Sequence, residues 1–169
     1  AIRLAEPESF STDAVLTMSQ TVRREVAAVG NGVERALAHR DVGGAKPYLI
    51  SDSGDNPGAG GTGDVTWTLT QLLEMPALTG EDAPLAYVAS IFDAAAIDQL
   101  FALAEGDAVD VTAGARVDSR VSGPVRIRGI LHSLHTGDRD AGRIAVVRVG
   151  GLRVIVTEFR KAYHATTDF

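Results

Sequence analysis

Between Ser51 and Asp64 the chain reads Ser-Asp-Ser-Gly-Asp-Asn-Pro-Gly-Ala-Gly-Gly-Thr-Gly-Asp. Asp52, Asp55 and Asn56 carry hydrogen-bonding side chains, while Gly60, Gly61 and Gly63 offer bare backbone that another molecule can approach closely. Clustering glycine is costly, because it loses more backbone entropy on folding than any other residue. Core packing gives no reason to accept that cost. The run follows a short apolar strand candidate, Tyr48-Leu49-Ile50, and precedes a helical pattern from Val65 to Met75. Loops set between a strand and a helix are common places for binding sites. Asp64 is positioned to cap that helix, so the amides of Gly60 to Asp64 would sit at its N-terminus and favour an anionic group. The plain alternative is an elaborate turn in which Asp52, Asp55 and Asn56 bond nearby amides. So many glycines favour the functional reading.

Other candidate chemistry is weaker. Gly58-Ala59-Gly60-Gly61-Thr62-Gly63 fits G-x-G-x-x-G, but the residues Ser51 to Pro57 separate it from the strand, and Glu81 and Asp82 precede the next strand instead of closing it. Both departures argue against a dinucleotide fingerprint. No lysine follows the last glycine, so it is not a P-loop. Asp52-Ser53-Gly54 matches a tripeptide near some protease serines, but a nucleophile is recognised by geometry with its base, not by three residues. His132 and His135, with Asp138 and Asp140 nearby, could form a metal set only if a strand ended at Ser133, since positions three apart on a strand point to opposite faces. Solvated residues at a hairpin end are the simpler expectation. Arg160, Lys161 and His164 form a basic cluster, read either as a solvated strand end or as a clamp for a substrate carboxylate.

These residues need elements to position them. Residues 1–43 read as a helical lead-in: Ser11, Thr12 and Asp13 can cap, and Val15, Met18, Val22, Val26 and Val29 recur at helical spacing. Gly30-Asn31-Gly32 breaks that pattern, with Asn31 capping a second short helix from Val33 to His39. From Lys46 the order is strand, loop, helix, strand, helix. Leu85 to Phe92 is an almost continuous apolar run, which predicts a strand buried on both faces. Asp93 caps a helix running to Leu103, stapled by Phe92 and Ile97. Strands are then predicted over Ala108–Thr112, Val125–Ser133, Arg143–Val149 and Leu152–Phe159, the last two joined by a Gly150-Gly151 hairpin turn. The fold class is mixed α/β: strand-loop-helix units followed by a β-meander, with residues 44–169 forming the domain that follows the lead-in segment.

The net charge of −6 argues against a nucleic-acid footprint, which needs clustered Lys and Arg. With no cysteine, disulfides, thiolate zinc sites and thiol nucleophiles are excluded. No window provides the unbroken apolar stretch of a membrane span, and no signal segment opens the chain. These features fit a cytoplasmic setting without a membrane partner. Opening on Ala1 and stopping at Phe169, the chain reads as a piece of something longer.

The segment Tyr48 to Pro57, with Gly60-Gly61-Thr62-Gly63-Asp64-Val65-Thr66-Trp67 after it, resembles the C-terminal region of the microcystinase C-like (MlrC-type) metallopeptidases. So do Val146 to Thr157 and the closing Arg160-Lys161-Ala162-Tyr163-His164. The resemblance implies a zinc-dependent hydrolase of small or modified peptides whose metal ligands lie in a preceding N-terminal domain, with this piece truncated at its C-terminal end. It implies no metal ligand and no catalytic residue within this piece; the substrate-binding role expected of Asp52, Asp55, Asn56, Gly60, Gly61, Gly63, Asp64, Arg160 and His164 comes from the composition of the loop and of the basic cluster. The rival expectation is a non-catalytic module using the same loop for ligand binding or assembly around a small anion. A third is an independent hydrolase built on His132, His135 and Asp138.

Overall fold

The computed structural model describes residues 2–4, 28–44, 47–52 and 54–163, arranged in two compact units, Ala1–Gly54 and Asp55–Phe169. In the first unit, β1 (Ile2–Leu4) pairs antiparallel with β2 (Ile50–Asp52), Ile2 opposite Asp52. Helix α1 spans Ala28–Asp41. Most of the expected lead-in helix, from Ser11 to Val26, lies outside the described residues. The expected break at Gly30-Asn31-Gly32 does not occur: α1 runs through it. Val29 and Val33, one turn apart, are both buried. Their packing outweighs the roughly 1 kcal/mol per glycine that a helix interior loses relative to alanine.

The second unit is a five-stranded sheet with short helices. Its elements are a 3-10 turn (Pro57–Ala59), α2 (Trp67–Leu73), α3 (Pro76–Thr79), β3 (Ala86–Phe92), α4 (Ala94–Leu100), β4 (Ala108–Ala113), β5 (Val125–Asp138), β6 (Gly142–Val149) and β7 (Leu152–Thr157). The sheet order is β3-β7-β6-β5-β4; β3 runs parallel to β7 and the other neighbours are antiparallel. Period-two patterning accounts for this sheet: Val109, Val111 and Ala113 alternate with exposed residues on β4, and Ile127 is buried between exposed Arg126 and Arg128. The core combines these with Leu131, Val147, Leu152, Val154 and Val156, closed by Ile97 and Leu100 of α4. Each such side chain gains about 1.5–3 kcal/mol by leaving water.

Local chemistry places α4 and the last hairpin. Asp93 Oδ1 accepts the Ala96 amide at 3.0 Å, the cap expected from sequence. Gly150 and Gly151 connect Val149 to its partner Leu152, with Gly150 at φ 59°. The strand at 86–92 departs from expectation. Its residues are mostly half-buried or exposed, Tyr87 at 61%, because β3 is the edge of the sheet and not an interior strand. β5 also outruns its predicted end at Ser133 by continuing to Asp138.

Candidate functional site

The loop ahead of α2 is organised by one carboxylate. Asp55 Oδ1 accepts the Gly63 amide at 2.8 Å and the Thr62 hydroxyl at 3.3 Å, and Oδ2 accepts the Val65 amide at 2.8 Å. Bonds to an ionised acceptor are stronger than neutral ones, about 1.5–3 kcal/mol each. Asp55 therefore cinches the ends of the loop together. Asn56 Oδ1 caps the 3-10 turn through the Gly58 amide at 2.9 Å, and its carbonyl accepts Gly61 at 2.8 Å. Its NH2 has no partner among the described residues. Asn56, Gly58, Ala59 and Gly60 form an exposed tip, while Gly63 and Asp64 are buried.

The glycines have reasons inside the loop. A Cβ on Gly61 would stand 2.6 Å from the Asn56 nitrogen, too close for any side chain. Gly63 has φ 74°, and a Cβ there would meet Arg160 Cγ and Pro57 Cγ, each at 3.1 Å. The expected presentation of Gly60, Gly61 and Gly63 as free backbone donors is therefore corrected. Their amides already donate, to the Pro57 carbonyl, the Asn56 carbonyl and Asp55 respectively. Nor do these amides lie at a helix end, because α2 begins only at Trp67.

Asp64 is not the cap of α2. Thr66 takes the cap position without a side-chain bond to the helix, its hydroxyl bonding Ser122 and the Gly123 carbonyl instead. The fully buried Asp64 carboxylate turns to the segment after β4, accepting Val117 at 2.6 Å and Asp118 at 3.3 Å. Asp93 holds the same segment, its Oδ2 accepting the Gly114 amide at 3.0 Å and Arg116 Nε at 3.1 Å.

Arg160, which follows β7, joins the loop. Its Nη1 donates to the Gly61 carbonyl at 3.0 Å, and its stem crosses Gly63. Spacing in the sequence gave no signal for this contact or for the Thr62 bond to Asp55. Lys161, the next residue, points elsewhere: its ammonium lies 2.7 Å from Asp138 Oδ2 and 5.2 Å from the centre of the Tyr163 ring. Lys161 and the Ala141 amide hold the Asp138 carboxyl down at about 2. Asp52 closes β2 in the first unit, and His164 lies outside the described residues.

The His132–His135 alternative loses its geometric condition, since β5 continues through both residues and Asp138 is paired with Lys161. His135 Nε2 shares a hydrogen bond with Ser133 Oγ at 3.0 Å. Among the described residues no three His, Asp or Glu side chains are placed to hold a metal ion. Asp55, the acid central to the loop, has both oxygens occupied by N–H and O–H donors. The described residues do not fit a zinc site.

Residues 50–169, well over half of the chain, match the family model of the MlrC C-terminus. The chain belongs to that family. Microcystinase C from Sphingomonas sp. is 28% identical over 144 residues, a match covering 78% of this chain and 27% of that protein. In a crystal structure of a "putative metallopeptidase" from Mesorhizobium sp. BNC1 the same fold recurs, with a TM-score of 0.53 at 20% identity. That match covers 66% of this chain and 24% of the other. This MlrC C-terminal chain thus spans about a quarter of the length of each relative, 27% and 24%. No helix among the described residues is long and apolar enough to cross a membrane.

Proposed function

We propose that this chain is the C-terminal domain of a metallopeptidase-like hydrolase, and that its 55–65 loop positions a peptide beside a metal centre carried by another domain of the same protein. Family membership and the names of the relatives support the class of reaction. No group of side chains able to hold a metal occurs among the described residues, and the work proposed for the loop is binding and orientation. Zinc, as the metal, rests on the family resemblance.

The observation that carries the loop's role is the double grip of Asp55. It ties down Gly63 and Val65 while leaving Asn56, Gly58, Ala59 and Gly60 exposed, which makes a rigid, accessible tip. Rigidity matters because holding a reactant in place converts lost entropy into rate, and a slack support forfeits it. Among the described residues, the Asn56 NH2 and the Arg160 guanidinium are side-chain donors open to a peptide.

The experiment compares this 169-residue chain with the longer product expected of its reading frame, both assayed on short linear peptides. Turnover is expected from the longer product only, and Asp55→Ala in it should lower the rate about tenfold or more through misplacement of the loop. Hydrolysis by the short chain, or an Asp55→Ala enzyme working at full rate, would refute the proposal.

A further inference from the structure

We infer that Arg160 is a carboxylate-recognition residue, so that the peptides taken by this loop are those carrying a free carboxylate next to the segment it holds. The identification of the ligand as a peptide rests on the function proposed above; the anion site itself stands on geometry.

Arg160 lies three residues beyond β7, and the connecting backbone is fixed by Glu158 and Phe159, whose amides donate to the Arg143 and Ala141 carbonyls, each at 2.9 Å. The acids that might neutralise it are committed elsewhere. Glu158 accepts the Arg143 amide at 3.0 Å and its guanidinium at 2.9 Å. Asp138 pairs with Lys161, and Asp55 is filled by the loop's own donors. Among the described residues no carboxylate pairs with Arg160.

What Arg160 does have is a seat. Gly63 leaves open the volume that the arginine stem crosses, with Cγ 3.1 Å and Cδ 3.7 Å from where a Cβ would stand. One Nη1–H is anchored on the Gly61 carbonyl, and the side chain as a whole is exposed. A guanidinium tethered at one corner keeps the rest of its fork for a ligand, and that fork matches the two oxygens of a carboxylate. Asn56 holds the other side of the same residue, its carbonyl accepting the Gly61 amide at 2.8 Å, so the carbonyl that anchors Arg160 belongs to a residue fixed at both ends. Tethering also lowers the entropy lost when the ligand binds.

The test titrates the 15N-labelled 169-residue chain with N-acetylglycine and, separately, with its neutral isostere N-acetylglycinamide. The Gly61 and Gly63 amide signals should move and saturate with the acid and stay still with the amide. Arg160→Gln should abolish the response. Arg160→Lys, which keeps charge but not the fork, should weaken it about tenfold. Gly63→Ala keeps the guanidinium and crowds its seat, so it too should weaken binding. N-acetylglutamine and N-acetylglutamic acid α-amide then distinguish an α-carboxylate from a side-chain one. Equal shifts with the neutral amide, or saturation that survives Arg160→Gln, would overturn the inference. The Asp55→Ala rate test reads the loop's support and not Arg160, so either idea can fail alone.

Discussion

The carboxylate of Asp64 accepts the backbone amide of Val117 at 2.6 Å from a side chain wholly withdrawn from solvent. The Asp64 carbonyl accepts Ala115 at 2.7 Å as well, so one residue holds both ends of a turn in the 114–118 segment. Removing the carboxylate breaks two part-buried hydrogen bonds, those from the Val117 and Asp118 amides, and empties a fully buried site. Asp64→Ala should therefore cost about 2–4 kcal/mol, and Asp64→Asn, which keeps one acceptor, less. Urea unfolding checks this: the midpoint should fall with little change in slope. A midpoint matching the parent would mean that Asp64 does not support this segment.

Asp64 also marks where the sequence stopped being legible. Its position before an apolar run is that of a helix cap, and the amides it serves lie 53 and 54 residues away, where no local rule reaches. Asp93 was legible because its role as cap is completed three residues on, at Ala96. The Gly150-Gly151 turn was legible for the same reason. Helix α1 was misread at Gly30-Asn31-Gly32 because burial of Val29 and Val33 overrides propensity, and β3 because an apolar run does not say whether its strand is central or at an edge. At the candidate site, Asp55 and the glycines were visible as a composition, but their bonds were not. Arg160 reaches Gly61 across 99 residues, a closure set by sheet topology alone.

Thr157 offers a test of a different sort. It is fully buried at the end of β7, and its hydroxyl has no hydrogen-bond partner among the described residues. A buried unpaired hydroxyl costs more than an isosteric methyl, and valine suits a strand better than most residues. The main-chain bond from the Asp93 amide to the Thr157 carbonyl is untouched by the change. Thr157→Val should raise stability by about 1 kcal/mol, a few degrees in thermal midpoint. Destabilisation would show that the hydroxyl has a partner after all.

Acid should expose the Asp138–Lys161 pair. The ammonium of Lys161, whose side chain is 6% exposed, and the amides of Ala141 and Asp140 all stabilise the ionised carboxylate. They lower its folded pKa from 3.8 to about 2. Since the folded value lies below the unfolded one, the stabilisation is complete above pH 4 or so and drains away as the pH falls toward 2. Its size, reduced for partial exposure, is about 1–2 kcal/mol. Asp138→Asn should consequently be less stable than the parent at pH 7, where Lys161 loses its counter-charge, and the gap should close between pH 4 and pH 2. Thermal melts of both proteins across that range decide the matter. Glu158, held low mainly by Arg143, titrates in both proteins and cancels from the difference. A gap that stayed constant to pH 2 would show that the pair contributes nothing that depends on charge.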